Sequence, residues 1–97
     1  MAYVIPTRGS MRRLQPFTGA TFTMHELARY IETIAVWRVL ELGNELLFYN
    51  QDGDDLALPV NETATAIIRK FPEYAEDSIY GQCVLARKDE MREMLVY

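Results

Sequence analysis

Residues 46–71 read LLFYNQDGDDLALPVNETATAIIRKF, and this run decides the fold because it predicts a strand, an acidic turn, a returning strand and a capped helix in succession. Leu46 to Asn50 is apolar and aromatic, the composition of a buried strand. Gln51-Asp52-Gly53-Asp54 supplies the short polar side chains and the glycine that a hairpin turn needs. Leu56 and Leu58 alternate with Ala57, which predicts a short return strand, ended by Pro59 because proline has no N–H to donate. Asn61 is placed to cap the next helix by accepting from N–H groups two or three residues on, a contact whose loss costs about 1 kcal/mol. Ala64, Ile67, Ile68 and Phe71 then recur at helical spacing, and Pro72 closes the segment.

Moving toward the N-terminus, Trp37 to Leu42 reads as a strand joined to this run by a Gly43-Asn44 hairpin turn. Before it, Thr23-Met24-His25-Glu26 fits a capping box with Thr23 at N-cap and Glu26 at N3, and Phe22 and Leu27 hold the staple positions. The helix so opened carries an apolar stripe of Leu27, Tyr30, Ile31 and Ile34, turns Arg29, Glu32 and Thr33 outward, and ends near Ala35. Tyr3 to Ile5 and Met11 to Gln15 form a first hairpin around Pro6 and Gly9. Toward the C-terminus, residues 79–87 read as the last strand, with Gly81 marking a bulge or a close backbone approach, and the tail from Asp89 can start a short helix. These elements predict an α+β fold, an antiparallel sheet of about five strands with two helices packed on one face.

A chain of 97 residues with 49% hydrophobic and 25% charged residues fits a single domain spanning 1–97. Cys83 is the sole cysteine, which excludes an internal disulfide and a multi-thiolate zinc site and points to a reducing, cytoplasmic setting. No run approaches a membrane span, and no signal-peptide pattern opens the chain. Charge is uneven: residues 1–40 carry five arginines against Glu26 and Glu32, net +3, and residues 41–97 carry five basic against twelve acidic groups, net −7, which together give −4. Such asymmetry arises from two solvated faces, from an anion site on the first part, or from complementarity between copies.

Candidate chemistry is sparse. Arg8, Arg12 and Arg13 cluster at one end of the first hairpin and are the candidate ligand-binding residues, able to hold a phosphate or carboxylate bidentately or else to serve as surface charge. His25 is the lone histidine and has no cysteine or serine partner nearby in sequence, and Cys83 lies mid-strand as a small apolar residue, so no catalytic residue is assigned. Asp52, Asp54 and Asp55 lack the ligand spacing of a calcium loop, so no metal site is expected, and no cofactor motif is present. A pI of about 4.9 and the lack of basic residues alternating with aromatics argue against nucleic acid.

The order of elements around FTMHELARYIETI, YNQDGDDLALPVNETAT and SIYGQCVL resembles the phage and bacterial proteins grouped as domain of unknown function 3846. The matching positions are Tyr30-Ile31-Glu32, Asn50 to Gly53, Leu58-Pro59-Val60-Asn61 with Ala64-Thr65, and Ile79, Gly81 and Val84. Ala28 and Arg29 stand where that family carries glycines. The resemblance covers roughly residues 3–86 and transfers no active site. It implies a phage or mobile-element protein working in a host cytoplasm. The resulting expectation is a non-catalytic binding protein that inhibits a host defence, by sequestering a small nucleotide signal or by occupying a host protein. A structural or regulatory protein-interaction module is the alternative, and a small enzyme the third. A Met- and Leu-bearing tail and oppositely charged halves further predict a homo-oligomer with any anionic ligand near the subunit boundary.

Overall fold

The computed structural model describes residues 2–16, 21–23, 26–27, 29–31, 37–52 and 56–91. The chain folds as α+β around one antiparallel five-stranded sheet. Its strands are β1 (Ala2–Ile5), β2 (Arg12–Leu14), β3 (Trp37–Leu42), β4 (Glu45–Asn50) and β5 (Cys83–Arg87), in the spatial order β2-β1-β5-β4-β3. The last strand in sequence is therefore the central one. Tyr3 faces Leu85, Phe48 faces Val84, and Val39 faces Phe48 across the ladders. Gly43, at φ +66°, makes the two-residue connection between the paired ends Leu42 and Glu45. Among the described residues one α-helix is present, α1 (Glu62–Ile68), with 3₁₀ turns at Pro72–Tyr74 and Lys88–Glu90, and no helix is long and apolar enough to cross a membrane.

Side chains alternate across a strand, so the apolar runs LLF of β4 and CVLA of β5 present hydrophobic residues to both faces of the sheet. Both faces must then be covered. On one, Ile5, Leu47, Cys83 and Leu85 pack with Ala64 and Ile68 of α1 and with Ile79. On the other, Ala2, Leu46, Phe48, Val84 and Ala86 pack with Phe22, Leu27 and Ile31. This corrects the expectation of two helices on one face: α1 and the segment bearing Leu27 and Ile31 lie on opposite faces. That segment shows its capping box, with Thr23 N donating to Glu26 Oε1 at 3.0 Å and Glu26 N donating to Thr23 Oγ1 at 3.2 Å. Its staple residues Phe22 and Leu27 are buried. Tyr30, expected in the buried stripe, is 36% exposed. Met24, His25, Ala28 and residues 32–36 lie outside the described residues.

The return strand expected at Leu56 to Leu58 does not form. Both edges of β4 are already taken by β3 and β5, so no ladder remains for it to join. Instead Leu56 is 61% exposed and Ala57 adopts φ +55°, a left-handed conformation that breaks strand geometry. The last strand is shorter than residues 79–87, because the chain at Tyr80 bridges Val60 rather than the sheet. Gly81 is the close approach: at φ +84° it donates to Pro59 O at 2.8 Å, and a Cβ there would meet Leu58 Cδ1 at 2.7 Å. Asp89 lies in the 3₁₀ turn Lys88–Glu90, and residues 92–97, which include most of the expected tail helix, lie outside the described residues. After the 3₁₀ turn Met91 is extended and bridges Phe22, while Phe22 N donates to Glu90 O.

Asn61 joins helix to sheet. Its Oδ1 accepts from Ala64 N at 3.0 Å at the start of α1, and its Nδ2 donates to Ile5 O at 2.8 Å and Gly81 O at 3.0 Å. The backbone N–H of Asn61 donates to Ile79 O, and the residue is fully buried. Thr65 repeats the tie one turn on, accepting from Ile79 N through Oγ1 at 3.0 Å. Each polar atom inside this junction has a partner, which is what allows it to be buried at all.

Candidate functional site

Arg8, Arg12 and Arg13 are all exposed. Arg8 lies in the turn after β1, whereas Arg12 and Arg13 are consecutive residues of β2 facing Val4 and Tyr3. Consecutive strand residues point to opposite faces, so Arg12 shares a face with Leu14 and Arg13 does not. The three guanidinium groups therefore do not converge on one anion. They spread along the edge strand and its turn, where charge also discourages pairing with stray strands.

The structure instead forms a cleft of about 340 Å³ lined by Gln15, Phe22, Glu26, Arg29 and Tyr30. It opens where the chain leaving β2 runs beside the capping-box segment. Three contacts hold this wall: Phe22 bridges Met91, Tyr30 N donates to Leu27 O at 3.0 Å, and Gln82 Nε2 donates to Tyr30 O at 2.6 Å. Glu26 is occupied by the cap, since its Oε1 accepts from both the N–H and the hydroxyl of Thr23. Among the lining side chains, Arg29 supplies a cation, Gln15 an amide and Tyr30 a phenol, beside Phe22, which is itself only 1% exposed. That set can bind an anionic or polar group, and the five lining residues include no nucleophile beside a base. Sequence reasoning passed over it, because Arg29 was read as a solvated outward charge and Gln15 as the end of a strand.

Cys83 is fully buried, and desolvation pushes its thiol up to about 12, so at neutral pH it is a protonated, inert core group. His25, Asp54 and Asp55 lie outside the described residues. Among the described residues no group of three or more His, Cys, Asp or Glu side chains could hold a metal ion. Asn61, Thr23 and Glu26 sit in the capping contacts given above. Comparison with known proteins finds no matching protein-family model, no matching curated protein and no matching solved structure.

Proposed function

We propose that this chain is a non-catalytic binding protein whose ligand site is the cleft of Gln15, Phe22, Arg29 and Tyr30, with the capping-box segment forming the start of a second helix along its wall. The observation that supports it is the lining itself: a cation, an amide and a phenol brought to one cleft. The volume lies at the low end of the roughly 300–1,000 Å³ of small-molecule sites, which favours a ligand no larger than a mononucleotide. In the phage or mobile-element setting implied by the family resemblance, that ligand is a small nucleotide signal of a host defence. The test is thermal shift and native mass spectrometry with a panel of nucleoside mono- and diphosphates. Stabilisation by a member of the panel, lost in Arg29→Ala while the unliganded melting point is unchanged, is expected. A panel that leaves both proteins unshifted defeats the reading.

Action through protein contacts is the second reading. The observation favouring it is that Met11, Tyr30, Leu56 and Val60 stay exposed despite a well-filled core.

A further inference from the structure

The two stretches that line the cleft are anchored unequally. Gln15 directly follows β2, whereas Phe22, Glu26, Arg29 and Tyr30 belong to the segment that covers the sheet face opposite α1. That segment starts beside the end of β5, where Phe22 N donates to Glu90 O at 2.6 Å and Phe22 bridges Met91, and its later part lies beside the beginning of β5. The first part is thus held by backbone. The later part carries Arg29 and Tyr30, both exposed, followed by the core residue Ile31. Tyr30 makes two hydrogen bonds among the described residues. The one from its N–H to Leu27 O at 3.0 Å stays inside the segment. The other reaches the sheet: Gln82 Nε2 donates to Tyr30 O at 2.6 Å, joining residues 52 positions apart.

The chain carries a glutamine where such a tie can be made from a rigid base. Cys83 packs on the α1 face, so alternation turns the preceding residue to the face on which Tyr30 lies. The backbone on either side of Gln82 is fixed: Cys83 pairs with Ile5, while Gly81 N donates to Pro59 O at 2.8 Å and Gly81 O accepts from Asn61 Nδ2 at 3.0 Å. Facing the Tyr30 carbonyl calls for a donor, and an amide supplies one without adding a charge beside the cleft. The bond lies in exposed surroundings, so it satisfies no buried group and its effect is on position. We propose that Gln82 is a positioning residue of the cleft, whose amide fixes the wall bearing Arg29 and Tyr30 so that an anionic ligand meets both already in place. This rests on the cleft being the ligand site, and Gln82 acts there through Tyr30. Without the tie, a ligand must order both exposed side chains as it binds, and each such ordering weakens affinity several-fold.

Gln82→Leu keeps the bulk of the side chain and removes the donor. Against the panel of nucleoside mono- and diphosphates, it should bind the member that stabilises the wild type on the order of 10-fold more weakly, at an unchanged unliganded melting point. Without ligand, hydrogen exchange at the Tyr30 and Ile31 amides should be several-fold faster while the amides of β4 and β5 stay as protected as before. A residue that served overall stability alone would speed exchange through the sheet and lower the melting point, and that result would overturn the positioning role. Gln82→Glu has the same shape but only accepts when ionised, so at neutral pH it must bind and exchange no better than Gln82→Leu. Wild-type affinity and exchange in either variant, with binding still lost in Arg29→Ala, would overturn the role of Gln82 and leave the cleft as the ligand site. A panel that binds to none of the proteins removes the cleft reading instead, and exchange at Tyr30 then supports the tie if faster and overturns it if unchanged.

Discussion

Replacing Asn61 tests the junction on which the helix-to-sheet connection rests. A helix cap alone is worth about 1 kcal/mol. Asn61→Ala also deletes two buried hydrogen bonds, to Ile5 O and Gly81 O, each worth about 1 kcal/mol net. The expected loss is therefore about 3 kcal/mol, which in a domain of this size lowers the melting temperature by roughly 12–24 °C. Urea unfolding followed by circular dichroism and extrapolated to water measures it directly. Asn61→Asp separates the parts, since it keeps the acceptor that caps Ala64 N but replaces the donor Nδ2 by one oxygen facing the carbonyl oxygens of Ile5 and Gly81. It should destabilise at neutral pH at least as much as alanine does. Burial and the facing carbonyls raise the introduced carboxyl's folded-state pKa, so protonation favours the fold, and the variant recovers toward wild type as pH falls through that raised value. If Asn61→Ala lost only the cap's share, or if Asn61→Asp matched wild type at pH 7, the junction would not carry the energy argued for it.

Gly81→Ala combines a positive φ with a Cβ 2.7 Å from Leu58 Cδ1. It should destabilise by about 1–3 kcal/mol, and Leu58→Ala in the same chain should return only the steric part, as read by thermal melting. Cys83 should resist thiol reagents in the native state and react only at the rate of unfolding. Because burial pushes its thiol up from the ordinary 9.0 to about 12 in the fold, its contribution to stability is fully present below pH 9 and declines from there toward pH 12. Cys83→Ala should flatten that decline, which unfolding curves at graded alkaline pH would show.

The parts legible in the sequence are those specified locally. β3 and its turn could be read because alternation, glycine and asparagine act within a few residues, and Asn61 as a cap because helix termini call for a side-chain acceptor next to the first turn. The continuous apolar runs of β4 and β5 already implied burial on both faces, yet assigning the helical segments to faces needed the strand order, which places the C-terminal strand at the centre. The failed strand at Leu56 to Leu58 has the same origin. Its pattern was right for a strand, but β4 had no free edge. The separation of Arg12 from Arg13 is legible in the sequence, since neighbours in any strand diverge. The cleft was not legible, because its wall is held by Phe22 meeting Glu90 and Met91 across almost the whole chain.

The two ends of the sheet differ in a way that ties stability to function. At one, among the described residues, the two-residue Gly43-Asn44 turn and the Lys88–Glu41 and Arg87–Asp89 pairs close the structure. At the other, the connection from β4 to α1 is long, exposes Leu56 and Val60, and holds Ala57 in a left-handed conformation. Loops of this kind present function when a rigid frame fixes their ends. Here the frame is specific: Leu58 packs over Gly81, Pro59 accepts from Gly81, and Asn61 locks the loop's exit to β1 and to the approach of β5. The segment Leu58-Pro59-Val60-Asn61 thus anchors the fold with its first and last residues and presents Val60 between them. Substitutions at Leu56, which is 61% exposed, should spare stability, whereas substitutions at Asn61 must lower stability first and disturb the exposed surface as a consequence.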